Sequence, residues 1–396
     1  MSLLRVKYLR KKRILALIVI LTLTSTLFSV TAYSFLGFYN GFSAFEGQTN
    51  NIIAIYSERG NSPFSGIVPI SLQDNLTRVH GVISTSPEAI TPCIINGQSI
   101  FVRGVIPQEL SNLNQLTILQ GENLNLTDTN SAIIGVNVAQ RLNLKPGDEI
   151  LATGVLSEKY AELQIKGVFR SDSALDDEAL VPLYVGQWLR GIPYDQVTLI
   201  RAKIDLTQTN SNIVYQEIAN QTSAQPSSPG TSNSQTEQEL QGLIPLAQTN
   251  VNIQNIGVAE SQQFMTSYLD RFGISKDTLI ILSIAVLIFA SGTAIVAITL
   301  FIKQHDTETS ILRSIGVTSR KLKRDLFLKM LFWSLIATTI GTVVSVVVLM
   351  VFQNMGYLQV LSHTITFQID PLVIAANFIL LALLVGVNIA RMEFKQ

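Results

Sequence analysis

Four long runs without charged residues constrain the fold of this chain more than any other feature. Each run is close to the roughly 20 apolar residues that a helix needs to cross a hydrocarbon core about 30 Å thick. The whole chain has a mean hydropathy of +0.35 and only 14% charged residues, whereas soluble domains typically have about 25%. We predict four transmembrane helices, at residues 14–36, 278–302, 326–352 and 371–390.

The first run also allows a second interpretation, because a basic start followed by an apolar segment is typical of a secretory signal peptide. The stretch without charge nevertheless continues from Ile14 to Phe45, which is longer than the apolar region of a signal peptide. Tyr33 and Tyr39 lie towards its end, where aromatic side chains favour the membrane interface. We therefore favour a retained anchor helix.

Lys and Arg are distributed unevenly around the predicted helices. Six lie in residues 1–13, seven in 303–329 and two in 391–396, whereas the loop 353–370 has none. Because loops rich in Lys and Arg stay in the cytoplasm, we predict a multi-pass protein of the cell membrane with a basic cytoplasmic N-terminus and a short cytoplasmic tail. Residues 37–277 and the loop 353–370 are predicted to lie outside.

The predicted spans contain almost no ionisable residues, which tells against a proton-coupled or ion-coupled transporter. Small residues recur at helical spacing at Ala337, Gly341 and Ser345, and Ser291 precedes Gly292 in the second span. Small side chains let helices approach closely. We favour ordinary packing within a helix bundle over a gating role for these residues.

Residues 37–277 are long enough to form one sizeable domain. Short β-rich runs alternate with turn signals, and a helix is indicated near residues 136–142. The β-rich runs are 51–56, 99–106, 132–136, 149–156, 162–169 and 197–204. The predicted fold is therefore an α-helical membrane protein with four transmembrane helices and a large extracytoplasmic α/β (α+β) domain inserted between helices 1 and 2.

A polar stretch at residues 207–250 is dominated by Thr, Gln, Asn, Ser, Pro and Gly. Such a composition buries little apolar surface, so we predict a flexible loop, with a partner-binding arm as the alternative. Three Asn-x-Ser/Thr sequons at Asn75, Asn125 and Asn220 also lie in the predicted external segment. They are candidate glycosylation sites.

No catalytic constellation is apparent in the sequence. Cys93 has no neighbouring His to activate it and is interpreted as a small buried side chain. An acidic cluster at Asp172, Asp176, Asp177 and Glu178 has carboxylates suited to a hard cation, but we favour a solvated turn. The chain has three scattered histidines, no phosphate-binding loop motif and zero net charge. We therefore expect no metal, no cofactor on this chain and no nucleic-acid partner.

The loop 303–325 contains a short amphipathic helix. Asp306 and Glu308 suit the positive end of a helix, and Gly316 is a natural residue at which to end it. The apolar edge of this helix consists of Ile311, Leu312 and Ile315. A helix of this kind between two spans either lies on the membrane or docks a partner.

At these residues, the sequence resembles the FtsX-like and MacB-like permeases of ABC transporters. The pattern of that family is an acidic residue, two spacers, Ile-Leu-Arg, two further residues and Gly; here these are Glu308, Ile311-Leu312-Arg313 and Gly316. The layout of one span, a large domain and three further spans is also similar. Residues that resemble the MacB-like periplasmic core domain are Ile134-Gly135, Ala139, Leu144, Gly147-Asp148, Gly167-Val168 and Val181-Pro182-Leu183.

The resemblance implies that the short helix is a coupling helix, which seats in a groove of a separate ABC ATPase subunit. It implies polar contacts from Glu308 and Arg313, apolar contacts from Ile311, Leu312 and Ile315, and a helix end at Gly316. It further implies that ATP and Mg²⁺ are bound by the ATPase, and that a second permease protomer completes a homo- or heterodimer in the lipid bilayer. An extracytoplasmic partner or substrate is also implied.

The favoured hypothesis is a permease that has no enzymatic activity of its own and couples ATP hydrolysis to export, extraction or mechanotransmission. The alternative is a membrane-anchored receptor or scaffold that binds an extracellular ligand or envelope component. An external hydrolase is disfavoured, because neither paired catalytic carboxylates nor an activated nucleophile can be assembled from the sequence.

Overall fold

The structure, a computed structural model, describes residues 11–45, 51–62, 64–223, 255–360, 362–365 and 367–391. These residues form two compact units. The helical unit contains residues 11–41, 273–360 and 364–391 within the described ranges. The α/β unit contains the described residues from 42 to 272, together with residues 362–363.

The described residues form eleven helices. They are α1 (Lys11–Ser43), α2 (Leu72–Thr77), α3 (Pro107–Leu113), α4 (Val136–Leu142), α5 (Leu183–Arg190), α6 (Ser211–Ser223), α7 (Ser261–Arg271), α8 (Lys276–Gln304), α9 (Asp306–Ser314), α10 (Ser319–Asn354) and α11 (Pro371–Ala390), with a 3-10 turn at Ala174–Asp177. Four of these helices, α1, α8, α10 and α11, are long and apolar enough to cross a membrane.

Side-chain caps define the start of two of these helices, α8 and α11. The Asp370 carboxylate accepts a hydrogen bond from the Leu372 N–H at 2.7 Å, and α11 begins at the predicted residue. The Ser275 hydroxyl accepts a hydrogen bond from the Thr278 N–H at 3.1 Å at the start of α8. The predicted span at residues 326–352 lies within helix α10, which begins at Ser319, because the Lys and Arg residues that follow are good helix formers and do not interrupt it.

Helices α1, α8, α10 and α11 share one apolar core, which includes Leu21, Ala294, Ala337 and Val385. Gly341 lies where α10 meets α1: a Cβ built on Gly341 would lie 2.9 Å from the Thr22 carbonyl oxygen. This close approach agrees with the packing role favoured for the small residues.

Fourteen strands are present in the described residues. They are β1 (Ile52–Ser57), β2 (Val68–Pro69), β3 (Val82–Ile95), β4 (Gln98–Val105), β5 (Thr117–Gly121), β6 (Ser131–Gly135), β7 (Glu149–Gly154), β8 (Tyr160–Arg170), β9 (Glu178–Pro182), β10 (Gln196–Val197), β11 (Leu199–Ile204), β12 (Ile256–Glu260), β13 (Gln359–Val360) and β14 (His363–Thr364). Each of the six predicted β-rich runs corresponds to one of these strands.

Ten strands form one mixed sheet in the order β12-β1-β11-β3-β4-β9-β6-β8-β5, with β7 paired to β3 and β8. The long strand β3 joins two parts of this sheet, because its first half pairs with β11 and its second half with β4 and β7. One apolar core includes Ile95, Val102 and Ile134, and a second includes Ile53, Leu76 and Ile200.

The prediction of a flexible loop at residues 207–250 is wrong for its first part. Residues 211–223 form helix α6, which packs against the second core through the buried side chains of Val214 and Ile218. These two residues are spaced i, i+4, so even a mostly polar helix presents an apolar edge to the sheet. Residues 224–250 lie outside the described residues.

Candidate functional site

Helix α9 contains four of the six predicted coupling residues, and the other two, Ile315 and Gly316, directly follow it. A Schellman motif defines its C-terminal end. Gly316 has a φ of +98° and donates its N–H to the Arg313 carbonyl at 2.9 Å. The Val317 N–H donates to the Leu312 carbonyl at 3.2 Å. This pair of bonds satisfies the last carbonyls of the helix, so the prediction that Gly316 ends the helix is confirmed.

One face of α9 is packed within the helical unit. The His305 side chain is 1% exposed, and its Nδ1 lies 2.8 Å from the Phe301 carbonyl. Thr309 and Leu312 are also buried. These contacts fix the rotation of α9 about its axis, which determines the side chains that remain accessible to another protein.

The opposite face exposes Ile311 and Ile315, whose side chains are 55% and 75% exposed. They are four positions apart and therefore lie side by side on the helix surface. Leu312, in contrast, is only 8% exposed. The resemblance implies that Leu312 docks together with these two isoleucines. In the structure, Leu312 is part of the protein interior, because it lies about 100° around the helix from Ile311.

The two charged residues of the motif, Glu308 and Arg313, are both partly buried. The Glu308 carboxylate lies 3.7 Å from the Arg13 guanidinium, and Arg13 also donates a hydrogen bond to the Gln304 carbonyl. Arg13 thereby connects the start of α1 with the first turn of α9. Arg313 lies at intermediate exposure. The exposed residues of α9 and of its C-terminal end include the two isoleucines and the polar residues Asp306, Thr307, Ser310 and Ser314.

A second candidate site, which the sequence analysis missed, is a line of buried charges in the α/β unit. It takes one residue from each of four adjacent strands: Arg201 from β11, Glu88 from β3, Arg103 from β4 and Glu178 from β9. His363, from the loop between α10 and α11, completes the line. All five side chains are at most 1% exposed.

The charges alternate in sign along this line. The Arg201 Nε donates to Glu88 Oε1 at 2.8 Å, and the other Glu88 oxygen accepts a hydrogen bond from Arg103 Nη1. Arg103 binds Glu178 in a bidentate manner, with Nε to Oε2 at 2.6 Å and Nη2 to Oε1 at 2.9 Å. Two guanidinium groups and two carboxylates thus neutralise one another, which buried charges require.

The position of Glu178 determines its ionisation. Burial alone raises the pKa of Glu178, but the adjacent Arg103 guanidinium and the hydrogen bond from His363 outweigh this effect and lower the pKa to about 2. Glu178 is therefore ionised at neutral pH. An ionised carboxylate only accepts hydrogen bonds, so the His363 Nε2, 3.0 Å from Glu178 Oε1, donates to it.

Aromatic rings shield this end of the line from water. The His363 ring centroid lies 4.1 Å from that of Phe45 and 5.3 Å from that of Phe101. Phe64 packs in turn against Phe101, with centroids 4.9 Å apart. Low polarity around a hydrogen bond strengthens its electrostatic attraction. These rings therefore strengthen the hydrogen bond from His363 to Glu178.

Two protein-family models match this chain, one over its N-terminal part and one over its C-terminal part. A family model described as the MacB-like periplasmic core domain matches residues 14–248, which is more than half of the chain. A second model, described as the FtsX-like permease C-terminal domain, matches residues 280–394. The chain belongs to the FtsX-like, MacB-like permease family of ABC transporters. As in the sequence-based prediction, this permease is a multi-pass membrane protein.

Solved structures similar to the permease are regions of bacterial transport proteins. The periplasmic region of MacB from Actinobacillus actinomycetemcomitans is 14% identical, with 55% of this chain and 92% of that chain covered and a TM-score of 0.35. The extracellular domain of the noncanonic ABC-type transporter YknZ from Gram-positive bacteria is 16% identical (39% and 84% covered, TM-score 0.31). A putative permease domain from Porphyromonas gingivalis is 12% identical (43% and 81%, TM-score 0.30). No curated protein matches the chain.

The acidic cluster of the permease has a structural role, and the prediction of a solvated turn is wrong for three of its four residues: Asp172 is exposed, whereas Asp176, Asp177 and Glu178 are buried. Asp176 and Asp177 are 8% and 2% exposed. Asp176 accepts hydrogen bonds from the Ser171 N–H at 2.6 Å and the Asp172 N–H at 3.1 Å, and Asp177 accepts one from the Asn137 amide at 3.1 Å. These carboxylates hold the turn that leads into β9. Cys93 is fully buried, as predicted.

Proposed function

We propose that this permease couples ATP hydrolysis by a separate ATPase subunit to movements of its α/β unit, for export, extraction or mechanotransmission. The observation that carries the proposal is the exposed pair Ile311 and Ile315 on a short helix whose rotation and end are both fixed. An exposed apolar pair with a polar rim is typical of an interface core. Glu308 and Arg313, both partly buried on the same helix, would supply polar contacts.

In this proposal, the chain itself has no enzymatic activity, and ATP and Mg²⁺ belong to the partner. The sequence contains no phosphate-binding loop of the G-x-x-x-x-G-K-[ST] type, the backbone and Lys arrangement that cradles nucleotide phosphates. Docking at α9 would thus give this chain access to the energy of ATP hydrolysis without a nucleotide site of its own.

The proposed orientation places both termini and α9 in the cytoplasm and the α/β unit outside. It is supported by the fifteen Lys and Arg residues in 1–13, 303–329 and 391–396, because positive residues near span ends are retained inside. A cytoplasmic α9 would lie in the same compartment as ATP. This orientation is a condition of the whole proposal.

We also propose a second permease protomer as a partner. Helix α8 exposes large apolar side chains along much of its length, including Ile281 at 66%, Ile288 at 67% and Phe289 at 68%. Lipid or another protomer would cover such a surface. The mass of the complex in mild detergent, measured by light scattering, distinguishes a dimer from a monomer surrounded by lipid.

The test of the proposal is affinity purification of the tagged full chain in mild detergent, followed by mass spectrometry of the proteins that accompany it. We expect an ATPase with a phosphate-binding loop to be recovered. Changing both Ile311→Asp and Ile315→Asp should reduce its recovery at least about tenfold, since charges at the centre of an interface are strongly disfavoured. Ile213→Asp is the matched control, because Ile213 is similarly exposed, at 42%, on α6.

Two results would argue against this function. The first is purification of the chain without any ATPase, which would favour the receptor or scaffold hypothesis. The second is equal ATPase recovery with the double variant and with Ile213→Asp, which would place the ATPase elsewhere on the chain.

A further inference from the structure

The α/β unit has an open cleft lined by aromatic side chains, with a volume of 480 Å³. It lies between the start of β8, helix α5 and the loop that follows α5. The aromatic residues that line it are Tyr160, Tyr184, Trp188 and Tyr194, which are 63%, 41%, 44% and 62% exposed. Clefts of this size that combine aromatic rings with a few polar groups are typical of small-ligand sites.

Hydrogen bonds to the backbone fix two of these rings. The Trp188 Nε1–H donates to the Tyr160 carbonyl at 3.0 Å, and the Tyr184 hydroxyl donates to the Thr129 carbonyl at 2.5 Å. The polar atoms of both side chains are therefore already in use. The Lys159 amine covers one face of the Trp188 ring, which leaves the other face for a ligand. Because both rings are held in place, little conformational entropy would be lost on binding.

The charged groups at the cleft balance each other. Glu162 is an exposed member of the lining, next to exposed Asn130. The Lys159 amine lies 4.2 Å from the centre of the Trp188 ring, the position in which a cation is attracted by an aromatic face. Lys159 and Glu162 carry opposite charges, so together they give the cleft no net charge with which to attract an ionic ligand, and a neutral ligand is compatible with it.

We propose that this cleft binds a neutral oligosaccharide. The C–H face of a sugar ring is apolar and flat enough to pack on an aromatic face, and its hydroxyls are donors suited to the Glu162 carboxylate and the side-chain amide oxygen of Asn130. Proline-rich peptides also bind aromatic grooves, but they offer carbonyl acceptors. Two of the four aromatic donors that would meet such acceptors, those of Trp188 and Tyr184, are already bonded to backbone carbonyls, so fewer donors remain for a peptide than acceptors for a sugar.

The two tryptophans of the chain, Trp188 and Trp333, make a direct test feasible. In the full chain with Trp333→Phe, purified in detergent, Trp188 is the single tryptophan. Its fluorescence therefore responds to ligand binding in the cleft. We expect saturable changes in its fluorescence with at least one of cellotetraose, tetra-N-acetylchitotetraose and maltotetraose. Tyr160→Ala should weaken that binding about tenfold through loss of one stacking face, and Glu162→Gln should weaken it through loss of a charged acceptor.

The matched control is Tyr215→Ala, which removes a tyrosine that is 40% exposed on α6 and does not line the cleft. It should leave the titration unchanged. The proposal would be overturned by titrations that show no saturation with any of the three sugars, or by binding that Tyr160→Ala does not weaken. Saturation by a decaproline peptide instead of the sugars would overturn it in favour of a peptide groove.

Discussion

The residues that distinguish the α/β unit are charged side chains in places where the sequence is otherwise apolar. Arg103 interrupts the run from Ile100 to Ile106, and Arg201 interrupts β11. A single charge within an apolar strand signals a buried ion pair, because an unpaired one would be too costly to bury. The sequence could not identify the partners, since Glu88, Glu178 and His363 come from distant parts of the chain and meet only through the strand order.

Glu178→Gln is expected to destabilise the α/β unit by about 3–5 kcal/mol at pH 7, because it leaves the buried Arg103 without its bidentate counter-charge. The measurement is thermal or denaturant unfolding of the full chain in detergent. Glu149→Gln is the control, since Glu149 is an exposed carboxylate on β7; its effect should stay within about 0.5 kcal/mol.

The destabilisation by Glu178→Gln should depend on pH, because the pKa of Glu178 is lowered to about 2 from the ordinary 4.5. A depressed pKa contributes stability above the ordinary value, and that contribution is lost as the pH falls through the lowered one. The difference in unfolding free energy between the wild type and Glu178→Gln should therefore shrink from about pH 4.5 towards pH 2. A difference that does not change over this range would contradict the assigned network.

Among the elements, the four spans and the six β-rich runs could be predicted, because length, hydropathy and turn residues specify them locally. The Gly316 end of α9 was predictable for the same reason. The burial of Leu312 was not, since helical periodicity defines a face but does not show whether the same chain covers it. Helix α6 was missed because composition alone hides an apolar i, i+4 pair within a polar segment.

Gly341 and Gly292 provide a matched test of helix packing. A Cβ at Gly341 would lie 2.6 Å from the Ser25 Oγ and 2.9 Å from the Thr22 carbonyl oxygen, whereas within the described residues a Cβ at Gly292 meets nothing within 4 Å outside its own helix. Gly341→Val should destabilise the helical unit by about 1–3 kcal/mol, measured as thermal unfolding in mild detergent. Gly292→Val, with the same change in helix propensity, should have little effect; equal effects would contradict the packing of α1 on α10.

At the scale of the whole molecule, zero net charge conceals an uneven distribution along the chain. The segments assigned to the cytoplasm contain fifteen basic and four acidic residues, so the other segments contain thirteen and twenty-four. The helical unit and the α/β unit each have their own apolar core. The permease therefore consists of two separately packed units, and the proposed function depends on which side of the membrane each one faces.

Cysteine labelling tests that orientation, because the chain has a single cysteine. Cys93 is fully buried, and burial raises the pKa of its thiol to about 12, so it should react very slowly with maleimides, which require the thiolate. Asn212→Cys in α6 and Ser314→Cys in α9 each introduce an exposed thiol. In sealed, right-side-out membrane vesicles, a membrane-impermeant maleimide should label Asn212→Cys at once and Ser314→Cys only after detergent is added. The reverse order would place α9 outside, away from ATP, and the proposed coupling to a cytoplasmic ATPase would then be wrong.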